Sequence, residues 1–251
     1  MAEMELRRLE ELAVRASRSG QMAFSRFLEP SMESACRSAA NRCGCAVDFW
    51  GGYPDAERRV ACFYGDAPPA PEDWPIAVVR LTWNGKFAHP EHRDLLGALM
   101  GLGIERQTTG DVALGERRGA PCAYVFVVPE MADYVAANLD SAGRASLRAE
   151  LCPDAPDILP PRGETLRLTV QNERLDAVLA AGWRLSRSEA QRLIAGGLVK
   201  LNHEICLRPD RHLAEGDLIS ARGFGRLRLE EIQGVSRRGR QVISVFRFGG
   251  K

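Results

Sequence analysis

The sequence predicts an α+β chain in three parts: N-terminal helices plus a hairpin, a βαββαβ middle domain, and a C-terminal module of two helices and a hairpin. Three observations predict it. Proline-rich stretches at 66–71 and 152–161 divide the 251 residues into segments of similar size, and proline stiffens such connectors. Apolar spacing in the middle segment switches between two and three-to-four, as alternating strands and helices require. In the last segment two helical patterns end at Gly196-Gly197 and give way to strand-like runs. The parts are read as 1–75, 76–160 and 165–251.

The first twenty residues, MAEMELRRLEELAVRASRSG, are charged and amphipathic. They form a helix and not a signal peptide, because no apolar h-region is present. A second helix follows, then strands at 45–50 and 59–64 around a turn at 51–55. The middle part reads as strand 76–83, helix 90–102, strand 111–114, strand 122–128, helix 129–139 with Pro129 at its first position, and strand 146–151. Leu95, Leu96, Leu99 and Met100 line the apolar side of the first of these helices.

This order is that of a ferredoxin-like sheet with two helices on one face. RNA-recognition modules share the architecture and stack bases on aromatic residues of the open face. Tyr124 and Phe126 alternate with Ala123, Val125 and Val127. With the aliphatics in the core, the two rings are expected on the open face, available for base stacking. The competing reading packs them against a neighbouring domain.

In the C-terminal part Asn172 is expected to cap the first helix, with Leu175, Val178 and Leu179 on its buried face. Ser186 caps the second, whose buried face is Ala190, Leu193 and Ile194. Arg187 and Gln191, four apart, share a different face. Glycine takes the left-handed conformation cheaply, so Gly196-Gly197 ends that helix. A strand at 198–201, a turn at Asn202-His203 and a return strand at 217–221 complete the module.

Arg174-Leu175-Asp176, Ser186-Arg187-Ser188 with Ala190, Leu193-Ile194, Gly197 with Val199 and Leu201-Asn202, and Glu215-Gly216-Asp217 together resemble the S4 RNA-binding domain, an αL-type module. That family usually carries glycine where His203 stands here. The middle phrase HRDLLGALMGLGIER, the GDV that begins at Gly110, and Gly223-Phe224-Gly225-Arg226 resemble bacterial YlmH-type proteins over most of 76–230. The resemblance implies an RRM-like domain followed by S4, and a non-enzymatic RNA-binding protein acting on large-subunit ribosomal RNA. It also implies tRNA or peptidyl-tRNA as a partner in quality control of stalled translation.

Charge points the same way independently. Residues 165–251 hold 16 Lys and Arg against 9 Asp and Glu, a net of +7, whereas residues 1–164 carry a net of −6. A basic segment of this kind suits phosphate-backbone binding. Arg174, Arg187, Gln191 and Lys200 are expected to contact phosphate or 2′-hydroxyl groups, and Ser186 and Ser188 to donate at a helix N-terminus. Asn202, His203, Arg222, Arg226 and Arg228 are expected along the edge. Asp176 is expected to orient an arginine.

Other chemistry finds little footing. His89 and His92 lie beside Glu91 and Asp94 without third and fourth ligands, and Pro90 puts His89 at a cap position, so no metal is expected. The seven cysteines include no CxxC pair and read as reduced thiols. No cofactor signature is present. No apolar run approaches the roughly 20 residues that span a membrane, and a cytoplasmic location is the expectation. Two alternatives stay open: an RNA-modifying enzyme akin to a pseudouridine synthase, and a regulatory protein that binds a protein partner through 1–75.

Overall fold

The computed structural model describes residues 2–153, 156–236 and 239–249. Residues 154–155 of the second proline-rich connector, and Arg237, Arg238 and Lys251 of the basic count, lie outside the described residues. The chain forms two compact units, Met1–Leu159 and Pro160–Lys251.

The first unit begins with α1 (Ala2–Ser19), β1 (Ala23–Leu28), α2 (Glu33–Cys43), β2 (Ala46–Trp50) and β3 (Arg59–Tyr64). The strands form an antiparallel sheet in the order β1-β3-β2. Leu9, Ala13 and Ala16 of α1 and Cys36, Ala39 and Ala40 of α2 pack with Ala61 and Phe63 of β3. Strand β1 was not expected. Its register shifts between Phe24 and Phe27, where Ser25 Oγ accepts from Ala61 N at 2.9 Å, and this bulge breaks the alternation that marks a strand.

The unit continues with β4 (Ala77–Thr82), α3 (His92–Gly101), β5 (Thr109–Arg117), β6 (Ala120–Val127), α4 (Pro129–Asn138), a small hairpin of β7 (Ser141–Ala142) and β8 (Ala145–Ser146), and β9 (Arg148–Leu151). The sheet order β5-β6-β4-β9, antiparallel throughout, is the expected ferredoxin-like arrangement. Val79, Leu81, Ala123, Val125 and Val127 meet Leu95 and Leu99 of α3 and Ala132 and Val135 of α4. Helix α3 starts later than expected, with Glu91 at its N-cap and Asp94 reaching back to the Glu91 N–H at 2.9 Å. His89 is therefore not a cap.

The other face of this sheet is not open. Tyr124 is 3% exposed and Phe126 0%. Both lie in a second core with Phe27, Val60, Phe24, Tyr53 and Trp74 of the preceding segment. Phe126 stacks on Tyr53 at 5.1 Å, and a Cβ at Gly52 would sit 2.2 Å from the Phe126 ring. Of the two readings the packing one holds: residues of the preceding segment cover both rings in a second apolar layer, and the alternative that they stack on bases is corrected.

Polar groups fasten the same seam. Asp111 accepts from Tyr53 Oη at 3.0 Å, Glu57 N at 2.7 Å and Arg58 N at 3.2 Å. Buried Arg58 donates to the carbonyls of Thr109, Arg106 and Phe27 and pairs with Glu29. Residues 1–75 and 76–159 are thus one body, and the stretch at 66–71 crosses it without dividing it.

The second unit holds β10 (Gly163–Val170), α5 (Leu175–Trp183), α6 (Arg187–Ala195), β11 (Val199–Leu201), β12 (Glu204–Ile205), β13 (Leu218–Ala221), β14 (Gly225–Val235) and β15 (Gln241–Phe248). They form one antiparallel sheet in the order β10-β15-β14-β13-β11-β12. Leu175, Val178 and Leu179 of α5 and Ala190 and Ile194 of α6 pack on Val199, Ile219, Leu227, Leu229, Ile243 and Val245. Strands β10, β12, β14 and β15 extend the expected hairpin into a six-stranded sheet.

Candidate RNA interface

A helix leaves its first N–H groups unpaired, and α5 satisfies two of them unusually. The N-cap is Arg174 with no side-chain cap, correcting the expectation for Asn172. Leu175 N instead donates to Arg211 O at 2.8 Å and Asp176 N to Pro209 O at 3.1 Å, so the 206–213 loop closes the helix end and a capping amide is superfluous. Asn172 Oδ1 is buried without a hydrogen-bond partner.

That closure buries Asp176 completely. Its carboxylate becomes a hub. Arg187 Nη2 donates to both oxygens at 2.8 Å, Gln191 Nε2 donates at 2.9 Å, and Arg174 Nη2 donates at 3.3 Å. Burial pushes the carboxyl's pKa up, but hydrogen bonds from Gln191 and Arg187 and the charges of Arg187 and Arg174 outweigh it, leaving it below the usual aspartate range. Arg187 remains 41% exposed. The hub therefore holds three expected contact residues in fixed positions, two of them cationic, with Arg187 and Gln191 still reaching the surface. A guanidinium pinned on one edge retains its other N–H groups for a phosphate.

The expected serines behave differently. Ser186 does cap α6: its hydroxyl accepts from Glu189 N at 3.2 Å and donates to Glu189 Oε2 at 2.6 Å, while Glu189 also accepts from Ser186 N at 2.8 Å. Ser188 Oγ lies 3.1 Å from Ser186 Oγ. The helix start is thus already occupied by a carboxylate, which corrects the picture of Ser186 and Ser188 presenting a vacant phosphate site there. Hydrogen bonding by Ser186 holds the Glu189 carboxyl below its ordinary range.

Asn202 and His203 both adopt left-handed φ, +48° and +72°, the paired values of a two-residue hairpin turn. The expected turn forms with histidine where the related family has glycine. Exposed Asn202 engages its amide within the module, donating to Asp217 at 2.7 Å and accepting from Leu218 N at 2.9 Å.

Lys200 is exposed and pairs across the sheet with Ser220, which pairs with Arg226. Arg228 follows two residues on, on the same face. Exposed Arg222 opens the turn at 222–225, where Phe224 N donates to Ala221 O at 3.0 Å. The structure thus gathers Arg174, Arg187 and Gln191 at the helices, and Lys200, Arg226 and Arg228 on the sheet. Two aromatic residues on β15, Phe246 and Phe248, escaped the sequence reading. Arg226 lies 4.9 Å over the Phe248 ring, and Arg228 lies 5.8 and 5.6 Å over Phe246 and Phe248. The alternating Val-Phe-Arg-Phe run at 245–248 was the available signal.

Among the described residues no cluster of metal-ligating side chains occurs, and no helix is long and apolar enough to cross a membrane. All seven cysteines are free. Burial pushes the thiols of Cys36 and Cys62 up to about 12, which makes them inert.

A family model described as the putative RNA-binding domain in YlmH matches residues 69–154, and the S4 domain matches 173–219. The chain is 35% identical over 230 residues to the ribosome-associated protein quality control protein P2 of Bacillus subtilis, covering 90% of this chain and 88% of that one. A solved structure, cell division protein ylmH from Streptococcus pneumoniae, aligns with a TM-score of 0.49 at 23% identity, over 60% of this chain and 90% of that chain.

Proposed function

Since this chain belongs to the YlmH family of S4-domain proteins, we propose that it is a non-enzymatic RNA-binding protein that docks structured ribosomal RNA on the large subunit. On this reading tRNA or peptidyl-tRNA is a second partner, and the setting is cytoplasmic rescue or quality control of stalled translation. The observation that carries it is the Asp176 hub. A buried carboxylate that fixes two arginines and a glutamine at the surface of a basic unit preorganises donors for phosphate and 2′-hydroxyl oxygens. Recognition rests on shape, since A-form grooves expose little base information. Further support is the relative's association with ribosome quality control.

Co-sedimentation with purified large subunits tests this. The full chain is expected in the subunit fraction. Arg187→Lys keeps the charge but removes the planar fork that the hub holds toward the surface, and is expected to weaken co-sedimentation without unfolding. Failure of the unaltered chain to sediment, at low salt and with subunits carrying peptidyl-tRNA, would overturn the proposal.

A further inference from the structure

We propose that the sheet face of the second unit turned away from α5 and α6 binds unpaired RNA nucleotides, with bases stacking on Phe246 and Phe248 and phosphates meeting Arg226, Arg228 and Lys200. The inference rests on RNA binding by this chain and names a second surface for it, with a substrate class distinct from the structured RNA assigned to the hub.

Strand alternation defines the face. Leu227, Leu229, Ile243 and Val245 point into the core under the helices, so Arg226, Arg228, Ser244, Phe246 and Phe248 point the other way. Register then brings them together. Lys200, Ser220 and Arg226 form one row across three strands. Arg228, Phe246 and Thr165 form the next. The two rings meet edge to face, with centroids 4.9 Å apart at 86°, and both stay partly exposed.

Two features select the ligand. First, the flat surfaces alternate between ring and guanidinium, and bases stack on both kinds. Second, the cations outnumber the acids, Glu230 and Glu231, the latter paired with Ser244 on this face. Arg167, paired with Ser244 on the same face, joins Lys200, Arg226 and Arg228. The carboxylate of Glu230 is engaged by the hydroxyls of Thr165 and Ser244 at 3.2 and 3.3 Å. A purely apolar partner gains nothing from those cations, whereas a polyanion with planar groups uses both. A duplex keeps its bases stacked internally, so it cannot exploit the rings.

The test uses the full chain and two labelled RNAs, an unstructured strand of about 12 nucleotides, matched to common single-strand site sizes, and a stable hairpin. Phe246→Leu with Phe248→Leu keeps apolar bulk and removes the π faces. The expected result is at least about ten-fold weaker binding to the unstructured strand, the scale of losing base stacking, with hairpin affinity within about two-fold. Unchanged affinity for the unstructured strand overturns the proposal while leaving structured-RNA binding intact. Equal loss on both RNAs, or loss of hydrogen-exchange protection in β14 and β15, assigns the rings to folding and overturns it too. Binding of neither RNA by the unaltered chain removes the functional reading as well. A second measurement needs no variant: photo-crosslinking of a 5-bromouridine strand is expected to mark the peptide spanning 241–248, and adducts confined to other peptides refute the assignment.

Discussion

Neutralising the hub is the most demanding perturbation. Asp176→Asn preserves shape but removes the charge that Arg187 and Arg174 face, and turns an amide N–H₂ toward existing donors. A hydrogen bond to a charged group is worth about 1.5–3 kcal/mol, and leaving buried partners mismatched costs more than removing both. Arg187 is 41% exposed and Arg174 31%, so solvent screens part of the loss. The expected cost is about 2–4 kcal/mol, confined to the second unit. In a domain of this size each kcal/mol shifts Tm by about 4–8 °C. Because the folded-state pKa is lowered, the wild-type advantage is full above the unfolded aspartate value of about 3.9. It is lost as pH falls through the folded value. Hydrogen exchange of α5 and α6 amides measures it, titrated from pH 7 downward. A cost under about 0.5 kcal/mol at pH 7, or a pH-independent cost, would refute the hub as described.

Three further outcomes follow. Arg187→Glu places a second carboxylate beside buried Asp176, so it should lose several kcal/mol of stability, and a charge-reversal binding assay at this position must first pass a melting test; Arg187→Lys should keep the fold and weaken RNA binding, because the planar fork is gone. Phe126→Ala should destabilise the first unit by about 3–5 kcal/mol with RNA affinity unaltered in the folded fraction, read by calorimetry and anisotropy. RNA affinity should fall with salt at a slope of about −0.7 to −0.9 per neutralised phosphate, and a flat profile between low and physiological salt would contradict a phosphate-led interface.

Much of this was legible in the chain. The βαββαβ order, the α6 cap at Ser186 and the arginine-orienting role of Asp176 all follow from local spacing and chemistry, where a residue's neighbours in sequence decide its state. What was hidden depends on partners far along the chain. Tyr124 and Phe126 alternate just as exposed stacking residues do. Only the contacts with Phe27, Tyr53 and Val60 reveal the second layer. Asn172 looks like a cap, but carbonyls of the 206–213 loop take the N–H groups that it would have served. Strands β10 and β15 pair at opposite ends of one unit, a register that no local window contains.

The seam around Phe27 and Val60 also sets a clock. Its covering residues include Tyr124, Phe126 and Cys152, so β1 and β3 must be synthesised well before the chain that shields them. Roughly 90 residues separate the end of β3 from Cys152, and at about 5–20 residues per second the interval is on the order of 4–18 s. Throughout it, the emerging N-terminal sheet has one greasy side without its lid. Slowing elongation within 65–152 should raise chaperone capture of nascent chains, whereas slowing it close to the C-terminus, once Cys152 has emerged from the ribosome, should not.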